Sequence, residues 1–442
     1  MKKFIALLMA LVMVLALAAC GQSAAPAPAA SEAPAEEAAE AAPAEEAAEE
    51  AAPAEEAEEA PADMAEEAAA EETAEAAPVK VGFIFLHDEN STYDLNFLNA
   101  AKEACENAGV EYILKTNIPE GQECYDAAME LVDEGCNIIF ADSFGHESFM
   151  IEAAKECPEV QFCHATGTKA HTEGLANYHN AFAAIYEGRF LAGIAAGLKL
   201  NEMIEKGEFS EDEAKMGYVG AYPYAEVKSG YTSFFLGARS VCPSVTMEVT
   251  FTNSWYDPAL EQEGAQKLIN NGCKLISQHA DSLGAPTACE NAGVPNVSYN
   301  GSTIDAGPNT FIVSSRINWV PYMEHMIACV QNGEAIEADW VGTLATGSVE
   351  LTDVNEAVAA EGTVDAIEMA KEAFEAGEQH VFDTANWTVN GETLTEYMAD
   401  VDDMGDFQPE TNVIADGYFH ESEFRSAPYF DIDIDGIVNV DA

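Results

Sequence analysis

Residues 137–164 read NIIFADSFGHESFMIEAAKECPEVQFCH and contain the structural repeat of the chain. The apolar runs at Asn137–Ala141 and Val160–His164 are typical of buried strands, and Ser148–Lys155 between them has helical spacing. A strand, a helix and a second strand in this order predict two parallel strands joined by a crossover helix. This stretch therefore predicts an α/β sheet, with a polar loop leaving the carboxyl end of its first strand at Asp142.

The same alternation of strands and helices continues on both sides of this stretch. Two strands are predicted before it, at Val79–Leu86 and Glu111–Lys115, and a long Gly- and Ala-rich helix is predicted after it, from about Ala181 to Leu200. Beyond the polar segment 201–214 the alternation restarts. Its strands are predicted at 215–220, 245–252, 274–279 and 296–299, and its helices at 227–239, 260–271 and 285–292.

Two such series in tandem predict an α/β protein with two Rossmann-like lobes, parallel sheets and a ligand cleft between the lobes. About 365 residues follow the N-terminal segments, which is more than one hydrophobic core usually serves. We expect a first lobe at 79–210, a second lobe at 211–310, a crossover back to the first lobe at 311–335 and a C-terminal extension completing both lobes at 336–442.

The N-terminus has the pattern of an export signal. Lys2 and Lys3 precede an apolar run from Phe4 to Ala16, and Leu17-Ala18-Ala19-Cys20 follows. The pattern resembles a bacterial lipoprotein signal, in which the cysteine becomes the lipidated N-terminus. A transmembrane helix is the alternative, but the run is shorter than the ~20 residues that a bilayer requires. We expect a signal peptide with a lipobox at 1–20, lipidation of Cys20, and a lipid-anchored protein on the extracytoplasmic face of the cell membrane.

Residues 21–78 consist almost entirely of Ala, Glu and Pro. Such a segment buries too little apolar surface to offset chain entropy, and its like charges repel one another. Transient helix is the alternative, although the recurring prolines interrupt it. We expect a disordered tether.

The net charge of −61 limits the partners. Residues 31–77 hold 18 of the 79 acidic side chains and the signal holds two of the 18 basic ones, which leaves −45 on residues 78–442. Nucleic acid is therefore not expected as a partner, because its phosphates would be repelled. An uncharged or cationic ligand is easier to accommodate than a polyanion.

Nine cysteines remain after Cys20, and none forms a C-x-x-C pair. Disulfides are the usual expectation for an exported protein. The odd number and the scattered positions favour buried thiols that act as small hydrophobes.

Polar and aromatic residues follow the predicted strands at five loops, where ligands bind in such sheets. Asp, Asn or Ser at these places is also explained as a helix N-cap, and Tyr93 and Trp255 as core residues, so both alternatives stay open. The loops are 87–94, 142–146, 253–258, 278–284 and 299–302.

The segments Trp255–Pro258 and Gln278–Ser282 look like parts of a known family, and three more segments support the match in the same order along the chain. These are Tyr186–Gly193, Gly217–Ala221 and Ile317–Tyr322. Together they resemble the basic membrane protein family, lipoproteins that serve as substrate-binding components of ABC importers, several of them for purine nucleosides. The resemblance covers most of residues 79–335.

The resemblance implies the two-lobed type I periplasmic binding protein fold, with a base held between two aromatic rings, one from each lobe. Tyr93 and Trp255 match these rings. Asp94 stands where the family often has Asn, and Asn300 and Arg316 stand at or near positions where nucleoside binders carry Asp and Lys. The expected ligand-binding residues are Asp88, Tyr93, Asp94, Ser143, Trp255, Asp257, Asp281, Asn300 and Arg316.

We expect a solute-binding lipoprotein that captures a purine nucleoside or a related base and delivers it to an ABC permease. A sugar receptor and a sensory lipoprotein are the alternatives. No enzyme, cofactor or metal is expected, because the sequence has no G-x-S-x-G or Walker motif and no clustered metal ligands. The segment 431–436 copies the start of a calcium loop but lacks its final Glu, and we expect a strand there.

Overall fold

The computed structural model describes residues 78–401 and 409–441. The predicted signal peptide, Cys20 and residues 21–77 of the predicted tether lie outside the described residues. Within the described part of the chain, no helix combines the length and the apolar composition that a membrane crossing requires.

The first lobe is built on a six-stranded sheet in which all neighbouring strands are parallel. Its strand order is β11-β5-β4-β3-β1-β2. The central strands are almost entirely buried, as expected when helices cover both faces of a sheet. The strands are β1 (Lys80–Ile84), β2 (Glu111–Lys115), β3 (Ile138–Ala141), β4 (Gln161–Ala165), β5 (Tyr178–Ala183) and β11 (Asp339–Gly342); the helices are α1 (Thr92–Ala108), α2 (Gln122–Asp133), α3 (Glu147–Glu156), α4 (Ala170–Glu173) and α9 (Val320–Asn332).

The second lobe is built on a seven-stranded sheet with the order β12-β10-β9-β8-β6-β7-β17. Only β12 runs antiparallel to its neighbour in this sheet. The strands are β6 (Lys215–Gly220), β7 (Thr246–Phe251), β8 (Leu275–His279), β9 (Asn296–Tyr299), β10 (Phe311–Ile317), β12 (Val349–Leu351) and β17 (Ile437–Asn439); the helices are α5 (Ile185–Glu205), α6 (Ala225–Val241), α7 (Pro258–Asn270), α8 (Gly284–Ala292) and α10 (Thr363–Glu375).

Helices α5 and α6 pack against each other at very short range through glycines. A Cβ atom added to Gly193 would lie 2.1 Å from the carbonyl oxygen of Phe234, and one added to Gly237 would lie 2.0 Å from that of Phe190. No larger residue fits between two backbones at this distance.

The chain passes between the lobes at three adjacent places. It leaves β5 through Ala184, returns after β10 at Asn318, and crosses again between β11 and β12. The Ala184 N–H donates to the carbonyl of Gly342 at 2.7 Å, and the Asn318 N–H donates to that of Ser348 at 2.8 Å. These bonds tie the three connections into one hinge region.

The two lobes confirm the expected fold, and three details differ from the sequence-based expectations. The helix predicted from Ala181 starts at Ile185, because Tyr178–Ala183 forms a buried strand. Strand β10 belongs to the second sheet, and the return to the first lobe begins only after it, with α9 packed on α1. Residues 431–436 are not a strand; β17 follows them.

The C-terminal part of the chain contributes to both lobes. It supplies β11 to the first sheet and β12 and β17 to the second. Four short strands complete it, paired as two small antiparallel ladders: β13 (Met398–Ala399) with β14 (Thr411–Asn412), and β15 (Ile414–Ala415) with β16 (Tyr418–Phe419).

All nine cysteines beyond Cys20 are buried free thiols, which confirms their predicted role as small hydrophobes.

Candidate functional site

A cleft lies between the lobes at the carboxyl ends of their strands. It encloses about 370 Å³ of space, counting the part open to solvent. Residues of the first lobe line one side and residues of the second lobe line the other. They are Leu86, His87, Tyr93, Ser143, Phe144 and Thr166 from the first lobe, and Glu226, Trp255, His279, Asp281 and Tyr299 from the second.

Two partly exposed aromatic side chains lie on opposite sides of this cleft. Tyr93 is in the first turn of α1, where its hydroxyl donates to the carbonyl of Asp142 at 2.7 Å and its ring packs edge-on against Phe97 at 4.8 Å. Trp255 is in the loop after β7, with its ring centroid 5.1 Å from that of Tyr222. Neighbouring rings thus hold each side chain at the rim of its own lobe.

A second pair of aromatic rings meets across the mouth of the cleft. Phe144 follows β3 in the first lobe, and Tyr224 caps α6 in the second; their ring centroids are 5.7 Å apart. Both are well exposed, at 42% and 45%. This contact closes one side of the cleft.

The Asp281 carboxyl group is a buried acceptor in the cleft. Asn300 donates to its Oδ1 at 3.3 Å. Burial raises the pKa of Asp281 well above its usual value, and the charges of Asp94, Glu261 and Glu226 raise it further. Burial and these charges favour the neutral form of the Asp281 carboxyl group, and a hydrogen-bond donor from a ligand would favour the ionised form.

Glu226 and His279 form a second polar group on the second-lobe side. The Nε2 atom of His279 lies 3.3 Å from Glu226 Oε1, and its ring packs against Tyr299 at 4.4 Å. Burial lowers the pKa of His279, so its ring is neutral and Nε2 donates to the carboxylate.

Arg189 lies beneath this part of the cleft and is fully buried. It donates to the carbonyls of Gln278 and Ser298 at 3.3 and 3.2 Å, immediately before the cleft residues His279 and Tyr299. Its guanidinium carbon is 5.0 Å from the centre of the Tyr299 ring. Arg189 thereby ties the ends of β8 and β9 together under the site.

The lobes are also joined directly beside the cleft. The backbone N–H and the hydroxyl of Thr92 both donate to the carbonyl oxygen of Asp281, at 2.9 and 3.2 Å. Thr92 belongs to the first lobe and Asp281 to the second. The structure is therefore a form in which the lobes are closed upon each other at this point.

Asp94 lies behind the cleft lining instead of within it. Its carboxylate accepts from the His87 N–H at 2.7 Å and from the Ser91 hydroxyl at 2.6 Å. Burial raises its pKa, but the hydrogen bonds from His87 and Ser91 outweigh burial and leave the pKa lowered. Burial and the charge of Asp94 raise the pKa of Asp142 well above its usual value.

The cleft brings together Tyr93, Ser143, Trp255 and Asp281 of the nine predicted residues. Asn300 is not part of the cleft lining, but its side chain donates to the lining residue Asp281. The Ser143 hydroxyl, although at the cleft, donates to Glu120 at 2.6 Å.

The remaining predicted residues have other partners in the structure. Asp88 accepts from the side chain of Asn90 at 2.7 Å. Asp257 is the N-cap of α7 and accepts from the N–H groups of Ala259 and Leu260, both at 3.0 Å. Arg316 pairs with Glu350 at 2.6 Å.

Seven cleft residues were not among the predicted ones: Leu86, His87, Phe144, Thr166, Glu226, His279 and Tyr299. All but Glu226 lie at or just after the ends of predicted strands, so the strand-end rule could have found them. Glu226 follows a loop that contains two tyrosines and comes directly after the end of β6, so the strand-end rule also points to this loop.

A wider cavity of about 800 Å³ adjoins the cleft and shares Phe144, Thr166 and Glu226 with it. Its outer wall comes from the C-terminal part of the chain: Asp400, Arg425, Ala427 and Pro428. The described residues contain no group of His, Cys, Asp and Glu suited to hold a metal ion.

Comparisons with known proteins agree with this architecture. Residues 84–377 match the family described as ABC transporter substrate-binding protein PnrA-like, or Bmp. A purine-binding protein of Brucella abortus is 33% identical over 260 residues, which cover 58% of this chain and 69% of that protein.

A Haloferax volcanii protein named as a glucose-binding protein of an ABC transporter is 32% identical over 212 residues, covering 48% of this chain and 50% of its own length. Among solved structures, a solute-binding protein from Aeropyrum pernix superposes with a TM-score of 0.58 at 18% identity, and one from Conexibacter woesei with 0.54 at 18%. These alignments cover 68% of this chain in each case, and 92% and 98% of the two structures.

The solved structures support the two-lobed α/β fold, and the family model matches about two thirds of the chain. The family resemblance drawn from the sequence is thereby confirmed. The chain belongs to the PnrA-like family of ABC transporter substrate-binding proteins.

Proposed function

We propose that this protein is an extracytoplasmic lipoprotein that captures a purine nucleoside or a related base and delivers it to an ABC permease. The observation that carries the proposal is the cleft itself. Tyr93 and Trp255 approach it from different lobes, and the Asp281 carboxyl group lies in it. A flat heteroaromatic ring with N–H groups fits such a combination.

The aromatic rings and the carboxyl group would make different contributions to ligand binding. Stacking of a base on one aromatic ring contributes roughly 1–3 kcal/mol and tolerates different bases. A buried acceptor discriminates, because a ligand without a matching donor leaves it unpaired. Asp281 therefore selects among the ring systems that Tyr93 and Trp255 admit.

The purine-binding relative from Brucella abortus supports this ligand class. The relative from Haloferax volcanii, named for glucose, supports a sugar receptor as the second candidate, because sugars also pack against Trp. In both cases ligand binding would close the lobes about the hinge region.

The deciding experiment is a thermal-shift panel of purine bases, nucleosides and sugars on the mature protein. A ligand at one hundred times its Kd adds about 2.7 kcal/mol of stability, which raises Tm measurably. A shift with sugars alone would replace the purine proposal by the sugar receptor.

The variant Trp255→Ala tests the stacking role, and we expect its affinity for the best purine to fall roughly tenfold or more. Tyr112→Ala, a partly buried tyrosine on β2 away from the cleft, serves as the control. Equal affinity of the Trp255 variant and the wild type would refute the stacking role even if a purine binds.

Lipid anchoring is tested separately by Cys20→Ser. We expect the wild type in the membrane fraction and the variant in the soluble fraction, because the thioether-linked lipid would be lost. A variant that stays with the membrane would contradict the proposed anchor. Genes for a permease and an ATPase beside this one would favour transport over the alternative of a sensory lipoprotein.

A further inference from the structure

The charges around the cleft are unequal. Two carboxyl groups, Glu226 and Asp281, line it, and among the described residues that line it none is Lys or Arg. The imidazole of His279 is neutral because burial lowers its pKa. His87, the other imidazole, lies 3.3 Å from Asp94. The walls therefore offer a ligand acceptors and negative charge.

The next layer of side chains adds more negative than positive charge. Asp94 stands behind the first-lobe wall in its ionised form. Glu261, whose pKa burial raises to about 7, accepts from the Ser282 N–H beside Asp281. Arg189 opposes these charges from beneath Tyr299, and its hydrogen bonds already go to carbonyl and hydroxyl oxygens.

Two further carboxyl groups and one guanidinium stand near the edge of the site. Burial and the charge of Asp94 raise the pKa of Asp142, which favours its neutral form. Glu120 accepts from Ser143 at the first-lobe wall. Arg425 lies across the adjoining cavity, where Asp400 is also part of the wall. With these groups included, negative charge still exceeds positive charge around the cleft.

Aromatic rings make up much of the remaining wall. Tyr93, Phe144, Trp255 and Tyr299 all line the cleft. The face of an aromatic ring attracts a cation, and this attraction is strongest where water is excluded. Aromatic rings together with carboxylates are the arrangement by which proteins hold positively charged organic ligands.

We propose that the preferred ligand carries a positive charge on its ring system, as an N-alkylated or protonated heteroaromatic compound does. This inference rests on the proposed function, since it defines more narrowly which purine-like compound the same cleft takes. On binding, the positive charge of the ligand would lie against the carboxyl groups of Glu226 and Asp281.

The experiment compares two isomers by titration calorimetry at neutral pH. N1-methyladenosine carries a positive charge there, whereas N6-methyladenosine has the same added methyl group and is neutral; unmodified adenosine is measured beside them. We expect N1-methyladenosine to bind at least about tenfold more tightly than its isomer, and its affinity to decrease when salt is raised.

Two variants assign the preference to the carboxyl groups. Asp281→Asn and Glu226→Gln should each reduce the ratio between the two isomers, while Glu130→Gln, which removes a carboxylate paired with Lys115 on the outer surface, should leave it unchanged. Thermal unfolding of each variant shows whether it is folded, and either cleft variant alone suffices for the test.

The outcomes separate the two proposals. Binding of adenosine with no preference for the charged isomer would overturn the inference about charge and leave the purine proposal intact. Lack of binding by all three compounds, with the protein folded, would overturn both. A preference that persists in both cleft variants would refute the role given to Asp281 and Glu226.

Discussion

Replacing Thr92 by Val removes one hydrogen bond between the lobes and leaves the shape of the contact intact. The Thr92 hydroxyl donates to the carbonyl oxygen of Asp281 at 3.2 Å, and the backbone N–H donates to the same atom at 2.9 Å. Val keeps the N–H and the branched shape of Thr. The N-cap of α1, Ser91, is also untouched.

The expected effect follows from the net contribution of one neutral hydrogen bond, about 0.5–1.5 kcal/mol. The two partners belong to different lobes, so the bond is broken whenever the lobes separate. Its loss disfavours the closed form that a ligand would stabilise. The affinity is therefore expected to fall about twofold to tenfold, mainly through faster dissociation.

The assay is calorimetry and stopped-flow dissociation with the tightest compound from the purine panel. Thr172→Val is the matched control, since that hydroxyl donates to the carbonyl of Lys169 at 3.1 Å within the first lobe. If Thr92→Val binds like the wild type, or if Thr172→Val weakens binding as much, the contact does not contribute to closure.

Two further predictions concern stability. Gly237→Ala would place its Cβ 2.0 Å from the carbonyl oxygen of Phe190, and we expect the free energy of unfolding, measured by urea titration, to fall by about 3 kcal/mol. Gly301→Ala is the control, because a Cβ at Gly301 meets no atom within 4 Å. It should lower the free energy of unfolding by less than about 0.5 kcal/mol. Similar stabilities of the two variants would contradict the close helix approach. Burial raises the pKa of Glu261 from 4.5 to about 7, so the folded protein holds a proton that the unfolded chain has released between these pH values. The contribution of Glu261 to stability is therefore lost as the pH rises through this range, and Glu261→Gln should flatten that part of the pH profile of the unfolding free energy; an unchanged slope would refute the assignment.

The two-lobed fold could be predicted because buried parallel strands are continuous apolar runs with helices between them. The start of α5 was predicted about four residues too early, because the end of the preceding strand is also apolar. Tyr178–Ala183 is a buried strand that ends in the apolar run Ala181-Phe182-Ala183, and only one residue separates it from the Gly- and Ala-rich helix. Short apolar runs of this kind do not distinguish strand from helix.

The candidate site could be predicted in part, at the level of loops more than of single residues. Tyr93 and Trp255 were predicted from the family resemblance and from their positions after strands, and both line the cleft. Asp257 shows why carboxylates are harder, because an N-cap and a ligand contact require the same residue type at the same place. Glu226 was missed because it lies in the first turn of α6, several residues beyond the end of its strand.

The reactivity of the buried thiols can also be used to measure how the protein unfolds. Burial raises the pKa of Cys105 and of Cys289 to about 12, so the reactive thiolate forms only when the surrounding structure opens. A thiol reagent combined with mass spectrometry would therefore measure the opening free energy at each position without an introduced probe. Because both lobes contain such thiols, the labelling rates would show whether the lobes unfold together or separately. The first lobe holds Cys105, Cys124, Cys136, Cys157, Cys163 and Cys329, and the second holds Cys242, Cys273 and Cys289.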